Sequence, residues 1–414
     1  MSEKRPAGLL FIFITLLLDV LGIGLIIPIL PRLIEGFVQN DVSVASRYLG
    51  GLISVYAFVQ FLCAPVLGSL SDQYGRRPVI LISLLGFGLD YLLLALAPSL
   101  GWLLAGRIIA GITGSSATTA SAYIADVSPP EKRAQNFGLI GAAFGLGFII
   151  GPALGGVLGG IHVRLPFYAA AGLTLLNGLY GFFVLPESLA KENRRNFSWR
   201  RANPVAALVR LGNYPVILGL TGSLIFLNLA GQIHPSTWVL FTTKQFRWSE
   251  VDVGLSLAFV GLLVALVQGL LTRIIVPRIG DRRAVTTGLL LYAFGFVLFG
   301  VASRGWMMYA AVVPFALVGI AGPAIQGLIS RQVGPSEQGE LQGALTSLAS
   351  LTAIVGPLLA TNLFAYFNAP AAPVHLPGAA FLMGTLLTLA GLLVALRSFP
   401  RTSAVTVDGL GAPQ

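Results

Sequence analysis

The 414-residue chain is poor in the groups that most reaction chemistry needs. Charged residues make up 10% of it, where a soluble protein carries about 25%. The single cysteine, Cys63, has no internal disulfide partner, and its setting (Phe61-Leu62-Cys63-Ala64-Pro65) reads as a small apolar packing position. The three histidines, His162, His234 and His375, fall near the outer ends of apolar runs. No metal-ligand cluster is visible, nor a serine, histidine and carboxylate at one depth, so an intramembrane enzyme is disfavoured and no metal or cofactor is expected. A G-x-x-x-x-G-K-[ST] loop is missing, which disfavours a nucleotide-driven pump, and a large polar receptor domain is missing as well.

What is there is apolar. Hydrophobic residues make up 55%, and mean hydropathy is +0.83. Twelve runs are long enough for the ~20 residues of a membrane crossing: 8–34, 46–70, 78–97, 100–125, 136–160, 165–185, 214–238, 252–276, 284–302, 306–329, 341–366 and 378–397. The first is too long for a signal peptide and is expected to stay in the protein. With both termini placed in the cytoplasm, 19 of the 26 lysines and arginines fall on cytoplasmic segments and 6 on outer ones, with Arg107 embedded. That split follows the positive-inside rule for an even number of spans in a plasma or bacterial inner membrane. The net charge of +10 then reports topology, and nucleic acid need not be invoked. The basic stretch 191–210 suits an anionic inner leaflet.

Residues 187–212 form the one long polar stretch, a cytoplasmic linker between six-helix bundles at 1–186 and 213–400, with 401–414 expected to be a disordered tail. The halves repeat at a nearly fixed offset. Gly75, Gly138 and Gly151-Pro152 recur 205 residues on as Gly280, Gly343 and Gly356-Pro357. Such repeats place a substrate site near the bilayer midplane, between halves that rock against each other.

Three ionisable residues sit deep in apolar runs: Asp19, Asp90 and Arg107. Each costs roughly 3 kcal/mol on insertion scales, so they are candidates for a proton-coupled step. Asp19 is one candidate partner for Arg107; a purely structural ion pair is the alternative. Between spans two and three lies Gly68-Ser69-Leu70-Ser71-Asp72-Gln73-Tyr74-Gly75-Arg76-Arg77. Its glycines permit a tight turn and its charges can pair with a neighbouring helix end, Asp126 and Arg133 being the partner set; topogenic charge with a turn is the plainer reading. Span five carries glycines four apart, with Gly147, Gly151, Pro152, Gly155 and Gly156 as its core, a pattern for close helix approach whether general or specific. Pro152 removes one helical hydrogen bond.

The loop fits the G-x-L-x-D-x-x-G-R-[RK] signature of the major facilitator superfamily, and span five resembles the glycine–proline motif of its antiporter branches. The stretches around Asp19 (Asp19-Val20-Leu21-Gly22-Ile23-Gly24-Leu25-Ile26-Ile27-Pro28) and Asp90 (Leu89-Asp90-Tyr91-Leu92-Leu93-Leu94-Ala95) are similar to those of tetracycline/proton antiporters, in the drug:proton antiporter branch. The likeness covers nearly the whole chain. It implies that Asp19, Asp90 and Arg107 are functional intramembrane charges, that Gln60 and Gln268 are polar positions of spans two and eight, and that Asp72, Arg76 and Asp126 belong to gating loops. The chain departs from these antiporters at Tyr292, where they place an aspartate, and at Val264, where they often place a histidine. The second loop copy is degenerate, with Arg273 and Pro277 replacing its first glycine and its aspartate.

The second half has no embedded carboxylate and offers Asn228, Gln232, His234, Trp238, Gln268, Tyr292, Gln326 and Asn362 as substrate-cavity candidates, with helix–helix hydrogen bonding the ordinary role of each. His234, before Pro235, is placed near the outer mouth, solvated or capped. The expectation is an all-α membrane protein of twelve transmembrane helices in two pseudo-symmetric halves, the major facilitator fold. It would work as a monomer in a lipid bilayer, exporting an amphipathic small molecule in exchange for protons. Proton-coupled or facilitative uptake of a sugar or other metabolite is the alternative.

Overall fold

The computed structural model describes residues 4–199, 203, 215–332 and 338–399, all helix and connecting loop. Twelve crossings follow one another: α1 (Lys4–Ile26), α2 (Val42–Tyr74), α3 (Arg76–Leu96), α4 (Leu100–Thr113 and Ser116–Val127), α5 (Pro130–Ile161), α6 (Leu165–Val184), α7 (Pro215–Phe246), α8 (Glu250–Ile279), α9 (Asp281–Gly300), α10 (Gly305–Ser330), α11 (Gln338–Asn368) and α12 (Ala379–Ser398). Ten of these are single helices long and apolar enough to cross a membrane. The interrupted α4 and the polar-centred α7 complete the two six-helix halves. Residues 401–414, expected to be a tail, and 200–202 and 204–212 of the expected linker lie outside the described residues.

Local chemistry starts and stops these helices. The Asp41 carboxylate accepts the Ser43 and Val44 N–H groups at 2.8 and 3.1 Å and caps α2. Ser249 and Asp252 form a reciprocal capping box at the start of α8. The run expected as one span over 8–34 is not one helix. Its N–H removed by Pro28, the chain leaves the helix at Ile27–Ile29 and restarts as a short helix, Leu30–Glu35, with Pro31 in its first turn.

A second departure lies at the same depth in both halves. α4 opens at Gly114-Ser115, and the freed Gly114 carbonyl accepts a hydrogen bond from Gln60 Nε2 at 2.9 Å. At the same place in the repeat, 205 residues on, α10 tightens to 3₁₀ geometry over Leu317–Ile320. There the Gly319 carbonyl accepts from Thr272 Oγ1 at 3.3 Å. Irregular backbone at membrane depth is tolerated where protein or a cavity re-satisfies it, and both halves use the same position.

The halves meet along two seams, α2 with α11 and α5 with α8. Ser54 Oγ donates to the Ile354 carbonyl at 2.6 Å, and Gly50 backs onto Pro357 and Thr361. Gly156 of α5 lies on Glu250 and Gly254 of α8. An ion pair between Arg32 and Glu250 bridges the halves at the same end. At the other end, which carries the basic α2–α3 loop and is called the basic end below, the seam between α2 and α11 parts around a cavity.

Candidate transport site

The parted seam is a vestibule of about 650 Å³. Its walls run from Gly68 of α2 and Gly343, Thr346, Ser347 and Ser350 of α11 at the basic end to Asp19 and Ile23 of α1 at mid-membrane. Phe61, Phe87, Tyr91 and Phe144 make most of the surface apolar or aromatic, while Gln60, Gly114, Ser116 and Thr118 supply hydrogen-bonding groups. A smaller cavity of about 210 Å³ lies beyond it, lined by Asp90, Arg107, Gln232, Pro235, Ser236 and Val239. Ile23, Tyr56, Phe87 and Tyr91 line both, so these four side chains form the neck between them.

The three embedded charges divide between the two spaces. Arg107 forms an ion pair with Asp90, and its guanidinium lies 5.8 Å from the Tyr56 ring centre. α4 approaches α3 closely here, because Gly106 has no side chain: a Cβ on it would stand 2.6 Å from Asp90 Oδ1. Asp90 is 0% exposed and Arg107 12%. The suggested Arg107–Asp19 pairing is therefore corrected, since Asp90 takes the guanidinium. Asp19 lines the vestibule, 7% exposed, and neither carboxylate oxygen has a hydrogen-bond partner. The Ser116 hydroxyl of α4 is a hydrogen-bonding neighbour of this carboxylate, held short of full hydrogen-bond geometry.

The loop at the basic end is an ion-pair hub. Gly75 sits at φ +110°, where a side chain is strained, and turns the chain from α2 into α3. Arg76 donates to Asp72 at 2.6 Å, to the Ser71 hydroxyl at 2.7 Å and to Asp126, at the end of α4, at 3.2 Å. Two residues that sequence reasoning passed over complete it. The Glu187 carboxylate accepts the Arg76 and Arg77 N–H groups at 2.8 and 3.2 Å, capping α3. Ser188 Oγ bonds Asp126 at 3.0 Å. The following linker lies along the loop, with Arg195 N–H donating to the Asp72 carbonyl at 3.0 Å. The signal for Glu187 was an acid placed first in a polar linker, with no pattern to aim it. The Arg133 side chain lies outside the described residues.

Twelve crossings in two like halves, an interfacial cavity open at one end and a signature loop between α2 and α3 match what comparison with known proteins finds. A sequence model described as Major Facilitator Superfamily matches residues 12–279 and 232–414. The chain belongs to the major facilitator superfamily. It is 46% identical to the tetracycline resistance protein, class C, of Escherichia coli over 362 residues, covering 87% of this chain and 91% of that one. It is 39% identical to the class B protein of Escherichia coli over 348 residues, 83% and 85% of the two chains. The human organic anion transporter MFSD10 superposes with a TM-score of 0.68 at 27% identity, over 95% of this chain and 100% of that one. The nucleoside transporter NupG reaches 0.77 at 13% identity over 95% and 100%, a likeness of fold alone.

As a major facilitator protein the chain is a transporter and not an enzyme, and the α5 glycines sit at close contacts with α1 and α8. A Cβ on Gly151 would stand 2.8 Å from Gly24 Cα of α1, and one on Gly147 2.8 Å from Val20 Cβ. Gly155 faces Leu25, also on α1. Gly156 and the Pro152 carbonyl face α8 across the interface. The motif thus lies between the helix carrying Asp19 and the other half of the superfamily fold.

Of the expected second-half polar residues, Gln232 alone lines one of the two cavities. Trp238 Nε1 donates to Ser256 Oγ at 2.9 Å and pins α7 to α8. Tyr292 is buried with ring centres 4.7 Å from Phe296 and 4.8 Å from Phe315. His234 is corrected from a solvated or capped residue at the mouth to a buried one: it packs 4.5 Å from Trp238 and 5.0 Å from Phe315, because its face of α7 turns inward to α10. Asn362 bonds the Leu358 carbonyl of its own helix, and Asn228, Gln268 and Gln326 line neither cavity.

Proposed function

We propose that the chain exports an amphipathic drug of the tetracycline kind in exchange for protons, by alternating access. The observation that carries this is Asp19, a buried carboxylate without a charged partner at the deep end of a largely apolar vestibule. A carboxylate in such surroundings must take up a proton or meet a cationic or hydrogen-bonding ligand when its cavity closes. The resistance proteins to which the chain is similar supply the substrate class.

The basic end is the cytoplasmic one, with both termini there, so the vestibule opens to the cytoplasm and receives drug from it. The α2–α11 and α5–α8 seams close the outer side. Drug reaches the vestibule as Asp19 releases its proton inward; rocking of the halves, 1–186 and 213–400, then turns the neck outward, where the drug leaves and Asp19 is protonated again. Asp90 and Arg107 hold α3 to α4 beside the neck and place a positive group near Tyr56. The Arg76–Asp126 pair and its Glu187 cap keep the α2–α3 and α4–α5 connections moving as one body. Both halves lie in one chain, so a monomer suffices.

The test is transport by purified protein in liposomes under an imposed pH gradient, with tetracycline and a fluorescent cationic amphiphile side by side. Wild type is expected to move at least one of them with opposing proton flux, and Asp19→Asn to lose the gradient-driven part at normal expression and melting temperature. Gradient-driven transport that survives in Asp19→Asn removes Asp19 from the mechanism. Failure of wild type to couple protons to either drug removes the export reading.

A further inference from the structure

Behind Asp19, between α1, α4 and α6 and separate from the vestibule lining, the first half has an unusual core. Thr15 of α1, Thr119 of α4, and Thr174 and Asn177 of α6 are each at least 97% buried, and none of their side-chain oxygens or nitrogens has a hydrogen-bond partner. Helix register brings them together with Asp19. α1 and the second part of α4 run antiparallel, with Gly8 against Tyr123 and Asp19 beside Ser116, which sets Thr15 level with Thr119. α1 and α6 are also antiparallel, with Phe11 against Gly181, which sets Thr15 level with Asn177 and Asp19 level with Thr174.

The usual way to satisfy a threonine in a membrane helix is a bond to the carbonyl four residues back. Thr113, Thr237, Thr361 and Thr388 of this protein do that. Thr15, Thr119 and Thr174 do not. Buried polar groups left without protein partners cost desolvation energy, and ordered water, making about three hydrogen bonds per molecule, is the ordinary remedy. Among the described residues of the second half, unpartnered buried side-chain atoms are confined to Thr221, Ser223 and His234, all on α7. The polar core is a property of the half that holds the carboxylates.

We propose that Thr15, Thr119, Thr174 and Asn177 hold a buried cluster of water molecules that solvates the hidden side of the Asp19 carboxylate and sets the pH at which it releases its proton. Toward the basic end the cluster is closed by Phe11, Ile12, Ile80, Leu84 and Tyr123, so it communicates through Asp19 itself. The titratable groups facing Asp19 come from elsewhere: Tyr56 of α2 and Tyr91 of α3, with the Asp90–Arg107 pair beyond them. The faces of α4 and α6 carry hydroxyls and an amide only. The four residues are positioning residues, acting on the proton step through water. The inference rests on the reading of Asp19 as the proton carrier.

The experiment follows drug-driven proton flux against pH in liposomes for wild type, Thr15→Val, Thr119→Val, Asn177→Leu and Thr15→Ser, with melting temperatures alongside. Each apolar replacement removes solvation from the ionised carboxylate, so the pH midpoint is expected to move up by roughly one unit. The Thr15→Ser variant, which keeps the hydroxyl, is expected to return to the wild-type midpoint. Variants on three different helices keep the test alive if one does not fold. Wild-type midpoints in the folded apolar variants overturn the water cluster. If Asp19→Asn is uncoupled in the same assay while those midpoints stay put, the cluster alone is wrong; if Asp19→Asn stays coupled, the reading beneath it is wrong.

Discussion

The two halves repeat the same ion pair with its signs exchanged. In the first, Arg76 at the start of α3 meets Asp126 at the end of α4; in the second, Asp281 at the start of α9 meets Arg331 at the end of α10. Each residue stands 205 positions from its counterpart. What the duplication preserved is therefore a tie between two helix ends, for which either polarity serves. The chemistry deeper in the membrane was not preserved. Asp19, Asp90 and Arg107 have no charged counterparts, and the second half fills its centre with rings, Trp238, Phe299 and Phe315 packed around His234. On the export reading proposed above, mechanical ties serve both halves of a rocking transporter, whereas one titrating site is enough for one proton-coupled cycle.

The comparison can be broken most severely at the buried pair. Asp90→Asn leaves Arg107 charged and unpaired at mid-membrane, with an expected loss of about 3–5 kcal/mol in detergent-solubilised unfolding. Tyr292→Phe, at a similarly buried polar residue of the second half, removes a hydroxyl with no protein partner to lose and is expected to stay near wild type. Equal losses from the two would undo the contrast.

The two loop glycines come next. Gly75 (φ +110°) and Gly280 (φ +80°) both adopt backbone that only glycine takes readily, so alanine at either is expected to cost roughly 1–3 kcal/mol of strain. Gly75→Ala should fall further, because its Cβ would also strike the Glu187 carboxylate, whereas the space around Gly280 is open. Thermal unfolding of the two variants side by side checks the order.

Charge exchange gives a smaller effect. Arg76→Asp with Asp126→Arg copies the polarity of the second half and is expected to recover about 0.5–1 kcal/mol relative to the sum of the single changes, read as a double-mutant cycle on transport rate. Recovery stays partial because Arg76 also holds Asp72 and Ser71. The exposed Asp281–Arg331 pair, exchanged likewise, should couple by a few tenths of a kcal/mol and lose that in high salt.

Much of this was legible in the sequence because it is written in local terms. Apolar runs of sufficient length mark the crossings, the 205-residue offset marks the two halves, and the glycine spacing of α5 marks a face that neighbouring backbones can approach. Three things were not local. The break of α4 at Gly114 looks like any glycine in a membrane helix until the Gln60 amide is seen bonded to its carbonyl. Glu187 is one acid among several in a polar linker until it caps α3. His234 beside Pro235 resembles a residue of a helix mouth, and the inward rotation of α7 buries it.

The sequence by itself determined that this protein lives in a membrane, crosses it twelve times, repeats its plan once and keeps its embedded charge in the first half. Those properties depend on composition and periodicity along one strand of chain, which lipid and the backbone's demand for hydrogen bonds translate directly into helices. Which charge meets which was decided only by the tertiary structure. Asp19 and Asp90 share the local pattern Leu-Asp-x-Leu, both embedded and both within the reach an arginine on α4 could be imagined to have. The close approach of α3 and α4 at Gly106 gives the guanidinium to Asp90, and so leaves Asp19 as the carboxylate without a partner.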